Sequence, residues 1–124
     1  MSDSPPILVL ESPIEREELA RLVRATFGDF VKFVADIRLQ RIGIGGGMHA
    51  DAEARLLETG SAQVDLWGGN YWPGRGLDGC LEYTSLINIR PADDNRGMEI
   101  GSPAIRDAVR GLVLALVGRG EAIG

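Results

Sequence analysis

Between Phe30 and Ile44 the apolar residues alternate and then change phase, which limits the available folds more than any other stretch. Val31, Phe33, Ala35, Ile37 and Leu39 share one parity, with Lys32, Asp36, Arg38 and Gln40 among the residues between them. Side chains of an extended strand point to alternate faces, so this pattern is a strand with one apolar face. Ile42 and Ile44 lie on the other parity. A straight strand that switches phase turns its apolar set toward the wrong face. A bulge or a tight hairpin around Arg38 to Arg41 resolves the conflict, and we favour the hairpin.

Helical spacing flanks this unit. Ser12, Pro13 and Glu15 predict an N-cap, a first helical residue and a capping box, followed by the stripe Leu19, Leu22, Val23 and Phe27 and a stop at Gly28. Ala50 to Thr59 predicts a short helix anchored by Leu56 and Leu57 and ended at Gly60. Ser102 and Pro103 open a last helix with the stripe Ile105, Val109, Leu112 and Leu116. Gly111 inside it is expected to mark a close contact with the sheet. Further strands are predicted over Ile7 to Leu10, over Val64 to Trp72 with a break at Gly68–Gly69, and over Leu81 to Arg90, with a glycine-rich loop from Pro73 to Gly79. The order β-α-β-β-α-β-β-α implies an α+β domain, an antiparallel sheet with helices mainly on one face. The domain is expected over 7–117, after a disordered leader (1–6) and before a frayed tail (118–124).

A chain of 124 residues, 44% of them hydrophobic, builds one core and has no room for two. Its net charge of −5 argues against a nucleic-acid partner held by a general basic field. Cys80 is the only cysteine, so neither an internal disulfide nor a cysteine-based zinc site can form, and a reducing cytoplasm fits best. The start of the chain lacks the pattern of a signal peptide, and no apolar run reaches the length of a membrane span.

The densest chemistry lies in Gly45 to Gly68. His49, the only histidine, stands at even spacing from Asp51 and Glu53. Such a set can hold a divalent metal or act as an acid–base pair, and a mostly carboxylate site would suit Mg²⁺ or Mn²⁺. Acidic residues in the first helical turn also stabilise the helix by themselves, which accounts for Asp51 and Glu53 without a metal. Asp65 is the candidate catalytic partner of His49. Trp67, Asn70 and Trp72 could form a stacking platform for a flat ligand or simply pack. Asn88, Arg90, Asn95 and Arg96 could clamp an anion or neutralise the nearby carboxylates. The glycine run Gly43 to Gly47 lacks both the Lys-Ser/Thr of a phosphate loop and the spacing of a dinucleotide fingerprint.

His-Ala-Asp-x-Glu at His49 to Glu53, Gly-Ser-x-Gln-x-Asp-Leu-Trp-Gly at Gly60 to Gly68, and Ile-Asn-Ile-Arg-Pro at Ile87 to Pro91 with Asn95 and Arg96 resemble a family of small bacterial proteins, "domain of unknown function 5674". The resemblance runs from about Ile7 to Val117. The chain departs from it at Gly47 and Met48 and over Gly74 to Gly79. It implies a bacterial, cytosolic protein and brings no activity with it. Two functions follow as expectations. One is a polar ligand- or metal-binding cleft built from His49, Asp51, Glu53, Asp65, Arg90 and Arg96. The other is a partner-binding module with Trp67, Tyr71 and Trp72 on an exposed rim, the polar cluster being structural. A homo-oligomer is compatible with either.

Overall fold

The computed structural model describes residues 5–123, and in it the phase change is a hairpin. Strands β2 (Val31–Asp36) and β3 (Arg41–Gly45) pair antiparallel, Phe33 opposite Ile44 and Asp36 opposite Arg41. The Asp36 carboxylate accepts the N–H groups of Arg38 and Leu39 at 3.0 and 2.8 Å, and Gln40 takes the left-handed conformation that closes the turn. This four-residue connection lets Ala35 and Ile42 share one face.

β1 (Ile7–Leu10) adds to β3, β4 (Leu66–Tyr71) to β2, and β5 (Leu81–Glu82) to β4. The sheet is antiparallel throughout, in the order β1-β3-β2-β4-β5. Helices α1 (Arg16–Ala25) and α4 (Pro103–Leu116) bury Leu19, Leu22, Val23, Val109 and Val113 with Phe33, Ala35, Ile42 and Ile44. Helix α2 (His49–Glu58) covers the opposite face, where Ala52 and Leu56 meet Val34 and Leu66. Gly43 permits that approach. A Cβ there would lie 3.3 Å from the Ala52 carbonyl oxygen and the Leu56 side chain. The α+β class and the element order are those the sequence predicts, with a short extra helix α3 (Gly76–Gly79) inside the expected loop.

Several local expectations are corrected. Helix α1 begins at Arg16, and Glu15, not Ser12, is its N-cap. The Ile14 N–H is bonded to the Leu116 carbonyl at 2.9 Å, so the incoming chain is held by the end of α4 before it winds. Gly68–Gly69 do not break β4, since they pair with Val34 and Phe33. The strand expected over Leu81 to Arg90 stops after Glu82 and becomes a 3-10 turn at Leu86–Asn88. There the Asn88 side chain replaces a neighbouring strand's peptide. Its Oδ1 accepts the Gly68 N–H (2.8 Å) and its Nδ2 donates to the Gly68 carbonyl (2.9 Å). Gly111 makes no close contact, because a Cβ added to it would meet open space. The last helix follows expectation: Ser102 Oγ accepts the Ile105 N–H, with Pro103 at the first turn.

The expected leader lies mostly outside the described residues, although the Pro6 carbonyl takes the Gly46 N–H at 2.9 Å. The segment expected to fray makes specific bonds over 118–123. Gly120 N–H donates to Tyr71 Oη (2.8 Å), the Gly120 carbonyl accepts from Gly74 and Gly76 (3.0 Å each), and Ile123 packs on the core. No helix among the described residues is long and apolar enough to cross a membrane.

Candidate ligand-binding cleft

Helix α2 sets the site because its two ends are treated differently. At the C-terminal end, Arg41 Nη2 donates to the Leu56 and Thr59 carbonyls and to Ser61 Oγ at 3.1, 2.9 and 2.8 Å. Ser61 Oγ in turn donates to Asp36 Oδ2 at 2.5 Å. A guanidinium on the last carbonyls complements the negative end of the helix. At the N-terminal end the N-cap is Met48, whose side chain has no oxygen to cap the helix, although its carbonyl accepts the Asp51 N–H at 3.1 Å. The N–H groups of His49 and Ala50 have no partner among the described residues. Free N–H groups at a helix start carry partial positive charge.

A cleft of about 360 Å³ opens at this uncapped end. Phe30, Met48, Leu86 and Met98 form its apolar walls, and His49, Asn70, Ser85 and Lys32 supply polar groups. Met48, Leu86 and Met98 are 57, 69 and 45% exposed, unusually open for large apolar side chains. His49 is only 9% exposed. Its Nε2 lies 2.7 Å from the Gly69 carbonyl oxygen. A carbonyl can only accept, so Nε2 carries the hydrogen and Nδ1 keeps the lone pair. Burial, and then the nearby Lys32 charge, push the His49 pKa below its ordinary value, against the opposing pull of the Gly69 carbonyl and the Asn70 side chain. The ring is therefore neutral at pH 7.

Gly68 makes room for this ring. A Cβ there would come within 2.7 Å of Ser85 Cβ and 3.2 Å of the His49 ring. Asn70 is oriented by Glu82, whose Oε1 accepts Asn70 Nδ2 at 3.1 Å and Trp72 Nε1 at 2.6 Å. A carboxylate accepts and does not donate, so the amide oxygen of Asn70 points the other way, and it is buried without a hydrogen-bond partner. Trp72 continues the surface. Its ring stacks on Phe30 at 4.6 Å, Phe30 stacks on Phe27 at 4.6 Å, and the Arg75 guanidinium lies 3.8 Å over Trp72.

Of the residues singled out in the sequence, His49, Asn70 and Trp72 come together here. Asp51 and Glu53 do not join His49. On a helix Asp51 projects away from His49, and it lines a separate polar depression with Arg55 and Glu58. Glu53 acts instead on Arg90. Among the described residues no group of three His, Cys, Asp or Glu side chains could hold a metal ion. Asp65 precedes β4 and pairs with Arg38 at 2.8 Å. It is four residues from Gly69, about 13 Å along an extended strand, so it does not partner His49.

Trp67 and Arg90 form a second cluster near that other end. The guanidinium lies 3.8 Å over the buried indole, its Nη1 donates to the Gln63 carbonyl, and its Nε stands 3.7 Å from Asp93. Burial lowers the Arg90 pKa, with Asp93, Glu53 and Asp65 opposing. The expected amide clamp is spent on backbone. Asn88 is committed to Gly68, and Asn95 Nδ2 donates to the Asn88, Gly97 and Glu99 carbonyls at 2.7, 3.1 and 3.0 Å. Arg96 is exposed. The aromatic rim shrinks to Trp72, because Trp67 and Tyr71 are buried.

Phe30, Lys32, Met48, Leu86 and Met98 were not singled out in the sequence. An exposed methionine in a polar segment has no periodic signature, and the cleft joins segments 50 residues apart that only the fold brings together. In class this is a small α+β domain with a mainly apolar cleft over a polar floor at the start of α2. The chain belongs to the family described as "Protein of unknown function (DUF5674)", whose model matches residues 8–116. No curated protein and no solved structure matches it.

Proposed function

We propose that the protein is a ligand-binding domain whose cleft at the start of α2 takes a small molecule with an apolar body and a polar head. The observation that carries this reading is the pairing of exposed Met48, Leu86 and Met98 with the nearly buried His49 in one cleft. Apolar walls with a few convergent polar groups are the usual makeup of a ligand pocket. Methionine walls adapt their shape to what they hold. Turnover is not required by this arrangement, since His49 lacks the acidic partner a catalytic pair would need. The free, buried thiol of Cys80 supports a reducing compartment, a bacterial cytoplasm in our reading.

The test uses the methionines themselves. The chain has three, and Met48 and Met98 both face the cleft. Methyl-labelled protein is titrated with a panel of small amphipathic compounds and followed by NMR. Saturable shifts of the Met48 and Met98 methyls are expected. Failure of every amphipathic compound to move those two signals would remove the proposal.

A second reading rests on the column Phe27–Phe30–Trp72, with Phe27 41% exposed. It makes the same face a contact surface for a partner protein, since stacked aromatics anchor such contacts. A Trp72→Ala variant that loses a captured partner while still shifting its Met48 and Met98 methyls with small ligands would favour it.

A further inference from the structure

We propose that the polar head recognised in this cleft is an uncharged hydrogen-bond donor, a hydroxyl in the simplest case, read by the side-chain oxygen of Asn70. This rests on the cleft being the ligand site and names the chemistry it selects. The observation is Asn70 Oδ1 itself, a buried acceptor with no hydrogen-bond partner, and the one such side-chain atom among the described residues that line the cleft. The amide cannot turn over to relieve it. β4 places Asn70 opposite Lys32 on β2 and opposite Glu82 on β5, and Glu82 Oε1 accepts from Asn70 Nδ2 at 3.1 Å. A flipped amide would set its oxygen against that carboxylate. The neighbours offer no hydrogen either. His49 carries its single ring hydrogen on Nε2 and gives it to the Gly69 carbonyl. The Lys32 ammonium is turned onto the Phe27 ring, 5.2 Å from its centroid. Most buried side-chain polar atoms in folded proteins are paired, so an orphaned acceptor in the wall of a cleft points to a donor on the ligand.

The surroundings decide against a charged head. A carboxylate only accepts, so it would oppose Oδ1 and leave it unsatisfied. An ammonium donates, but it would lose its water among Phe30, Met48, Leu86 and Met98 and share the cleft with the like charge of Lys32, which already disfavours a proton on His49. A hydroxyl carries no charge and both donates and accepts. Its acceptor side suits Ser85, 4% exposed, whose Oγ takes the Ile87 N–H at 3.2 Å and keeps its own hydrogen. Ser85 and the His49 ring meet over Gly68, two residues before Asn70 on the same face of β4. The exposed Met48, Leu86 and Met98 side chains can rotate to admit the head without a change in the backbone. The apolar body of the ligand then lies along them.

The experiment compares 1-hexanol with methyl pentyl ether, an isomer that accepts but cannot donate, and with hexanoate and hexylamine as charged counterparts. Each is titrated against the full chain at neutral pH, and affinity is read from the Met48 and Met98 methyl signals. 1-Hexanol should bind about tenfold more tightly than its ether isomer, the scale of satisfying one buried acceptor. Hexanoate and hexylamine should both bind more weakly than 1-hexanol. Asn70→Leu keeps the size of the side chain and removes its oxygen, so the affinity for 1-hexanol should fall to that for the ether. Circular dichroism of the variant confirms that it folds, and the comparison of isomers in the unaltered protein stands by itself. Equal affinity for 1-hexanol and the ether, or a preference for either charged compound, overturns the donor assignment and leaves the cleft as a ligand site. Binding of none of the four overturns both. A 1-hexanol preference that survives in Asn70→Leu also overturns the assignment.

Discussion

The two ends of the ten-residue helix α2 are chemically opposite. At the C-terminal end Arg41 donates to the helix carbonyls and to Ser61, and Ser61 donates to Asp36, so their polarity serves the chain itself. At the N-terminal end Met48 supplies no side-chain cap, and the His49 and Ala50 N–H groups have no partner among the described residues beside a mainly apolar cleft. Buried polar residues alone therefore do not mark a site in this fold. What marks it is an open, mainly apolar cleft into which a few polar groups converge.

The largest effect should come from the satisfied end. Arg41→Ala leaves the fully buried Asp36 without its cationic neighbour and uncaps the helix, and about 3 kcal/mol or more should be lost from the unfolding free energy measured with denaturant. Comparable stability in that variant would dissolve the contrast. Gly68→Ala comes next. Its Cβ would press on Ser85 and the His49 ring, costing about 1–3 kcal/mol and shifting the His49 ring signals.

Met48→Asp sharpens the comparison by capping the open end. Met48 already has the extended backbone of an N-cap, so the variant should gain about 1 kcal/mol and, losing an apolar wall of the cleft, bind amphipathic compounds more weakly. A gain in melting temperature with binding intact would separate the helix end from the site. The smallest effect concerns pH. The His49 pKa is lower in the folded than in the unfolded chain, so the unfolded chain binds more protons below about pH 6.5. Stability is then unaffected above that value and falls as pH drops below it toward the folded pKa. His49→Gln should flatten this acid-side slope, and an unchanged slope would place the titration elsewhere.

The sheet was legible because its information is local. The parity switch at Arg41 and the Ser102–Pro103 helix start each follow from a few neighbouring residues. The strand expected over Leu81 to Arg90 was not legible. Its alternation is real, but Asn88 satisfies the β4 edge with a side chain, a substitution that no periodicity reveals. The candidate site divides in the same way. His49, Asn70 and Trp72 stood out by residue type and do meet. Asp65 and Arg90 looked equally chemical but lie toward the other end of β4, paired with Arg38 and stacked on Trp67. Even spacing of His49, Asp51 and Glu53 suggested convergence, whereas helical geometry separates Asp51 from the others.

The most direct measurement is the NMR spectrum of the protein with and without small amphipathic compounds. The account predicts that the Met48 and Met98 methyls and the amides of His49, Asn70 and Leu86 move most. Perturbations centred on Arg41 and Ser61, or spread evenly over the molecule, would contradict it.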